Sequence, residues 1–253
     1  MDTYWRQISI LIMPGFFNAI ISPPASVPFT TTDLYYRVDF GNTSCYPGTG
    51  TTVTDLVSSR AHTVYGGAAW NSGGYFTFDG VNDYIMTNAN MALLANDFTG
   101  HSSQGVWVYP TTTAGTRDPW SIFQDSTNQN GWTYTSSALR VRTQNGSWNT
   151  GNTWNLNQWQ YIVHTFTYGD PTNRQNRVYR NGSLIYQTPA TVNLFLRVES
   201  ERLLIGAFDN GSNGTTISNY FQGRIGDVHI YRGLLTPQNI LDNYNSTKGK
   251  YGL

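Results

Sequence analysis

Lysine and glutamate are almost missing from this chain. Lys248 and Lys250 are its only lysines, and Glu199 and Glu201 its only glutamates. Both residue types favour helices, so their scarcity points away from a helical fold. Charge of either sign is also scarce. Charged residues make up 12% of the sequence, and fifteen basic side chains cancel fifteen acidic ones. A typical domain carries about 25%. This balance excludes a basic nucleic-acid binder held by phosphate contacts, and it excludes a highly charged disordered tail. Cysteine occurs once, at Cys45, so no intrachain disulfide and no cysteine-rich zinc cluster can form. Disulfides are frequent in secreted β-domains, and a single cysteine leans toward assembly inside a cell. The four histidines, His62, His101, His164 and His229, lie far apart and show no HxxxH spacing. Long apolar runs are missing too. Residues 8–13 are apolar but stop at Pro14, too short to span a bilayer. They also read poorly as a leader: Asp2 offsets Arg6, and no small-x-small site follows.

Gly, Asn, Ser and Thr are abundant instead, with 17 Tyr and 8 Trp in 253 residues. Short alternating segments dominate from Asp33 onward: 34–40, 75–80, 105–109, 120–124, 138–143 and 159–168. Period 2 reads as strands, and turn residues separate them. Asn181-Gly182 sits between two alternating runs, which predicts a type I′ hairpin because both central residues need positive φ. One helix is expected near the C-terminus. Thr236 is its N-cap and Pro237 its first residue, with Ile240, Leu241 and Tyr244 on one face. Residues 1–32 differ from the rest. An apolar stretch leads to Pro23, Pro24 and Pro28, which favours an extended arm. Ile8, Ile10, Leu11, Ile12, Phe16 and Phe17 are its candidate contacts, on this domain or on a neighbouring subunit. Residues 33–253 are expected to form one domain.

Four stretches carry a family resemblance. Residues 75–85 read YFTFDGVNDYI, 156–163 read LNQWQYIV, 178–183 read VYRNGS, and 221–231 read FQGRIGDVHIY before Leu234-Leu235-Thr236. In this order they resemble the laminin-G-like, concanavalin A-like lectin/glucanase jelly-roll family, over residues 75–250. The resemblance implies an all-β sandwich of two antiparallel sheets, with Trp159, Ile225, Val228 and Ile230 in its core. Domains of this type recur in phage and algal-virus structural proteins and on bacterial surfaces.

Glucanases of the superfamily carry catalytic carboxylates on one strand. A retaining enzyme needs two of them about 5 Å apart. Here Glu199-Ser200-Glu201 lacks the intervening Asp of the glucanase pattern, and the sequence holds no G-x-S-x-G elbow and no phosphate-binding loop. No catalysis is therefore expected. The resemblance makes calcium the candidate ion, with Asp79, Asn82, Asp83, Asp209 and Asn213 able to supply oxygens. The same residues also suit plain turns. Sugar binding needs aromatic faces beside amides, and Trp132, Tyr134, Trp148 and Trp154 lie in an Asn-, Thr- and Gly-rich segment.

Two function classes follow. One is a non-enzymatic virion structural subunit (a capsid decoration, minor capsid or fibre-associated protein), a homo-oligomer bound to other capsid subunits through its arm and displayed on the virion surface. The other is a carbohydrate-binding adhesin or lectin, extracellular or on a cell surface, with host glycans as partners. Neither involves nucleic acid or a membrane span.

Overall fold

A computed structural model describes residues 27–89, 101–125, 128–135, 137–143, 146–167, 176–188, 202–211 and 216–253; for 123–125, 128–132, 134, 135, 143 and 146 only the backbone is described. The arm residues Ile8, Ile10, Leu11, Ile12, Phe16 and Phe17 lie outside these residues, as do Glu199, Glu201 and Asn213.

The strands, in chain order, are β1 (Leu34–Val38), β2 (Thr52–Thr54), β3 (Ala61–Tyr65), β4 (Ala69–Asn71), β5 (Tyr75–Asp79) and β6 (Tyr84–Thr87). There follow β7 (His101–Pro110), β8 (Thr116–Asp125), β9 (Asn128–Thr135), β10 (Ala138–Thr143), β11 (Gly146–Thr153) and β12 (Gln160–Thr167). The last are β13 (Asn176–Arg180), β14 (Ser183–Gln187), β15 (Leu203–Ile205), β16 (Phe208–Asp209), β17 (Ile217–Ser218) and β18 (Gln222–Tyr231). The first sheet runs β14-β13-β12-β7-β18-β5-β4, with β1 also on β18; the second runs β11-β10-β9-β8-β15-β6-β3-β2. All pairings are antiparallel, as the resemblance implied. The strands expected from alternation are all present.

Alternation sorts the side chains. On β5, Phe76 and Phe78 are buried while Thr77 and Asp79 are exposed. The inward residues of both sheets meet in one core that includes Phe76, Val106, Ile162, Ile225, Val228 and Ile230 from the first sheet and Ile85, Trp120, Ile122, Leu139, Val141 and Ile205 from the second. Each fully buried large side chain supplies about 1.5–3 kcal/mol of gross hydrophobic energy. Trp159 departs from the expectation. It is half-buried on the outer face of the first sheet, against Tyr251, with ring centroids 4.5 Å apart. On β12, Ile162 enters the sandwich core while Tyr161 and Val163 join the outer cluster, and Trp159 packs with that cluster.

The hairpin forms as expected, with Asn181 at φ 52° and Gly182 at φ 84° between β13 and β14. The helix, α1 (Pro237–Thr247), begins at Thr236, whose side chain accepts the Asn239 N–H while the Asn239 side chain accepts the Thr236 N–H. Such a cap contributes about 1 kcal/mol. A short 3-10 turn, Lys248–Tyr251, follows it. Ile240 is buried and Tyr244 half-buried against the first sheet, but Leu241 is 38% exposed. Leu241 instead abuts the hairpin tip: its Cδ1 lies 2.8 Å from where a Cβ on Gly182 would be. Among the described residues no helix is long and apolar enough to cross a membrane.

A second core lies under α1: Trp107, Tyr161, Val163, Tyr179, Tyr231, Leu235, Ile240 and Tyr251. It encloses a polar chain. Arg37 reaches Asp227 through Nη2 at 2.6 Å and Nε at 3.1 Å. His229 donates from Nδ1 to Asp227 Oδ1 at 3.3 Å and accepts the Tyr161 hydroxyl on Nε2 at 2.7 Å. These partners assign the neutral tautomer. Burial alone would raise the Asp227 carboxyl, but Arg37 and His229 outweigh it and hold it well below the usual carboxylate range. Burial lowers the His229 imidazole, more than Asp227 raises it. Gly105, paired with His229, makes room for the ring, since a Cβ there would lie 2.1 Å from Nε2. The described end of the N-terminal segment lies on this same face. Thr30 donates its N–H to Asn243 at 2.7 Å and accepts the Tyr231 hydroxyl at 2.8 Å, while Phe29 stacks edge-on to His229.

Candidate carbohydrate-binding surface

Three of the aromatics singled out in the sequence, Trp132, Tyr134 and Trp148, lie on β9 and β11, and for Trp132 and Tyr134 only the backbone register is described. Trp132 pairs with Trp120 and Val141, Tyr134 pairs with Leu139, and Trp148 pairs with Val141. Trp120, Val141 and Leu139 are all core residues. Trp148 is half-buried on β11, the edge strand. Trp154 is corrected outright: it is 3% exposed and belongs to the core between the sheets, so no sugar reaches its ring. Gly151 at φ 73° and Asn157 at φ 56° turn the chain on either side, and the Trp154 backbone N–H bonds Ser137 O.

Of the expected calcium ligands, Asp79, Asp83 and Asp209 each give a carboxylate oxygen to turn amides. Asp79 Oδ1 accepts the N–H of Val81 at 2.7 Å, and Asp83 Oδ2 accepts the N–H of Asp79 at 2.8 Å. Asn82 contributes a turn amide to Asp79. Burial raises the Asp83 carboxyl. Asp209, 2% exposed, accepts the N–H of Gly211 at 2.9 Å and of Thr216 at 3.2 Å. Among the described residues no three His, Cys, Asp or Glu side chains converge as metal ligands. Asx turns of this kind need no ion.

The open aromatic surface lies elsewhere, on the outer face of the second sheet. Ile85 points inward on β6, so Tyr84 and Met86 point out. Pairing of β3 with β6 sets Tyr65 opposite Tyr84, and their rings stack at 4.7 Å with 12° between planes. Tyr220 comes within 6.3 Å of Tyr84. Met86, Leu204 and Ala207 form a buried floor, with Tyr65, Tyr84, Tyr220 and Ile217 half-buried around it. The three tyrosine hydroxyls have no hydrogen-bond partner among the described residues. Neighbouring turns hold the arrangement. Gly66, at φ 79°, lets its turn run against the 82–83 backbone, where a Cβ would lie 2.2 Å from Asn82 O. Arg117 Nη1 donates to Gly80 O at 2.7 Å and to Tyr220 O at 2.6 Å, tying both turns to the sheet. Beside it, Arg142 forks Asp118 at 2.6 and 3.1 Å and lies over the Phe208 ring. Burial raises the Asp118 carboxyl, against the pull of Arg142. Tyr65, Tyr84 and Tyr220 were missed in the sequence because they are spread over more than half of the chain. Only the β3–β6 register and the β17–β18 connection bring them together.

Comparison with known proteins agrees with this architecture. A profile described as the concanavalin A-like lectin/glucanases superfamily matches residues 78–241, more than half of the chain. No curated protein matches the sequence. Among solved structures, a receptor-binding domain of botulinum neurotoxin C/D mosaic serotype superposes with TM-score 0.57 at 12% identity, over 84% of this chain and 51% of that one. Domain 4 of an extracellular arabinanase from Geobacillus stearothermophilus, in complex with arabinotriose, gives 0.59 at 17% identity, over 84% of this chain and 98% of that one. A Trypanosoma rangeli sialidase in complex with sialic acid gives 0.60 at 14%, over 87% and 34%. The chain thus spans about half the length of the toxin structures it matches.

Proposed function

Because the chain belongs to the concanavalin A-like lectin/glucanase superfamily, we propose that it is a carbohydrate-binding module whose ligand surface is the outer face of the second sheet, centred on Tyr65, Tyr84 and Tyr220. The observation that carries this reading is the stacked tyrosine pair on an apolar floor with its hydroxyls unspent. A pyranose or furanose presents a C–H face to such rings and its hydroxyls to phenol oxygens. A structural neighbour bound to arabinotriose supports the reading. Binding without cleavage is the reading this supports: among the described residues near the platform, Asp83 and Asp209 are engaged by backbone amides and Asp118 by an arginine. A glycosidase needs one carboxyl free to protonate the leaving group and a second free to act as nucleophile or base. A virion-subunit role rests on arm residues outside the described part of the chain, so glycan binding is the reading adopted. The two coincide if a surface subunit grips a host glycan.

The test is calorimetry against arabino-, gluco-, galacto- and sialo-oligosaccharides, with reducing ends assayed in parallel. Saturable binding that Tyr84→Ala removes is the expected result. Binding that survives Tyr65→Ala and Tyr84→Ala together, or release of reducing ends, overturns the assignment.

A further inference from the structure

On the opposite side of the sandwich, beyond the edge of the helical cap, the outer face of the first sheet holds an arginine that has ring contacts but no hydrogen-bond partner among the described residues. Arg224 on β18 pairs with Tyr109 on β7 and with Thr77 on β5, so guanidinium, phenol and hydroxyl share one face. Its guanidinium carbon lies 4.6 Å from the Tyr109 ring centroid and 5.3 Å from that of Tyr75. Trp159 packs edge-on to Tyr75 at 5.4 Å and to Tyr109 at 5.6 Å, and its position is fixed from behind by Tyr251. Arg224 is half-buried.

Among the described residues its guanidinium has no hydrogen-bond acceptor and no carboxylate partner. Four other arginines of the domain differ. Arg37 and Arg142 fork carboxylates, and Arg117 and Arg180 spend their donors on backbone carbonyls. Nearby acids are committed elsewhere. Asp79, the next outward position on β5 after Thr77, turns its carboxylate to the Val81 and Asn82 amides. Asp39 is taken by Arg37 and Lys250. A guanidinium stays charged throughout the accessible pH range and carries five donors in a planar fork. Held by tyrosine rings, it has already lost the conformational freedom that binding would otherwise cost.

We propose that Arg224 is the anion-recognition point of a second binding site, which takes a carboxylate- or sulfate-bearing saccharide. The fork grips the oxyanion in bidentate fashion, the Thr77 hydroxyl lies beside it, and the Tyr75–Tyr109–Trp159 cluster forms the apolar wall against which the sugar ring rests. This site is on the other sheet from the Tyr65–Tyr84 platform and stands or falls independently of it.

The experiment titrates the full chain with four probes: a galacturonate trimer, a galactose-6-sulfate oligomer, neutral galactotriose and inorganic sulfate. Wild type is expected to bind at least one of the two acidic sugars about tenfold or more tighter than the neutral one, with a preference that weakens as salt is added. The acidic sugar that gives the larger preference identifies the oxyanion. Arg224→Gln should abolish the preference and Arg224→Lys should lose most of it. Melting curves establish that each variant is folded; if Arg224→Gln is not, the lysine variant decides. Equal affinity for acidic and neutral sugars, or a preference that survives in Arg224→Lys undiminished, overturns the proposal. Inorganic sulfate competing as well as the sulfated sugar overturns its saccharide half.

Discussion

The outer face of the first sheet is roofed by α1 and the 3-10 turn, and beneath that roof Trp107, Tyr161, His229 and Tyr231 have no exposure. Among the described residues the outer face of the second sheet has no such roof. The β16–β17 ribbon lies over only part of it, and Tyr65 and Tyr84 remain half-buried. Both faces are aromatic. What separates them is where the hydroxyls go. Under the helix, the Tyr161 hydroxyl bonds His229, that of Tyr231 bonds Thr30, and that of Tyr251 accepts the Asp227 N–H. On the open face the hydroxyls have no partner among the described residues. A buried hydroxyl without a partner costs about 1–3 kcal/mol, so the capped side is satisfied by necessity. The open side is free to leave its hydroxyls to water or a ligand. An aromatic residue here is therefore structural or functional according to its cover, not its type.

The largest expected effect tests whether titratable groups are confined to covered parts of the molecule. His62 and His164, inside the sandwich, are both lowered by burial to about 4, and His229 under the helix is lowered as well. A histidine in the unfolded chain titrates near 6.5. Below about pH 6.5 the unfolded state binds protons that the folded state refuses, so stability falls as pH falls toward about 4, and it is flat above about 7. His62 and His164 each account for roughly 2–3 kcal/mol of loss by about pH 4.5. Asp227, held low, adds a further loss only below about pH 4. The urea midpoint measured from pH 8 to 4.5 should drop steeply below 6.5; a constant midpoint would show that these rings are protonated or solvated in the fold. Sugar binding on the open face, which involves none of them, should be unchanged between pH 6.5 and 8.

Next comes the ion pair under the roof. Arg37→Met removes the partner of Asp227, which is 1% exposed, and should cost about 3–5 kcal/mol because it strands a buried charge. Asp227→Asn in the same background should recover part of that loss. A loss under about 1 kcal/mol by chemical denaturation would mean that water reaches Asp227 beneath the roof.

The hairpin tip ties that roof to the sheet. Gly182 needs positive φ, and a side chain there also meets Leu241 of α1. Gly182→Val should therefore cost about 1–3 kcal/mol. Gly151, also at positive φ (73°) but with open space around its Cβ position, is the control for backbone strain alone. Equal losses for Gly182→Val and Gly151→Val would remove the helix contact from the account.

Much of the fold was legible because alternation and turn chemistry are local. The 75–79 segment, the Asn181-Gly182 turn and the Thr236-Pro237 helix start each announce themselves within a few residues. The polar start of β7 does not. Ser102, Ser103 and Gln104 are buried because Ser103 Oγ bonds Gly233 O and takes the Leu235 N–H, partners 130 or more positions away. Strands buried on both faces also hide their orientation. On β12, from Gln160 to Phe166, every residue is buried, so period 2 could not assign Trp159 to the core or to the helix-facing side. Composition alone points to a sugar-binding rim around residues 132–154. Trp154 shows why that fails: a polar setting in sequence says nothing about which way two tight turns aim a ring. Tyr65 and Tyr84 meet through β-pairing alone.

The smallest effect on stability should be the most informative about function. Tyr84→Ala removes one ring of the stacked pair from a surface where it is already half-exposed. Stability should fall by only about 0.5–1.5 kcal/mol, the worth of an aromatic pair beyond its burial. Oligosaccharide binding, by contrast, should weaken about tenfold or more, since a sugar face loses its platform along with a phenol oxygen. Tyr84→Phe separates the two contributions: it keeps the stack and deletes the hydroxyl, so it should retain stability and lose affinity only to the extent that the hydroxyl bonds the sugar. The matched control on the roofed face is Tyr244→Ala, which removes a half-buried ring packed on Trp107 at 5.7 Å. That change should lower the melting temperature and leave sugar affinity untouched. If Tyr84→Ala instead destabilises the fold like Tyr244→Ala while affinity holds, the open face is structural after all and the contrast between the two faces fails.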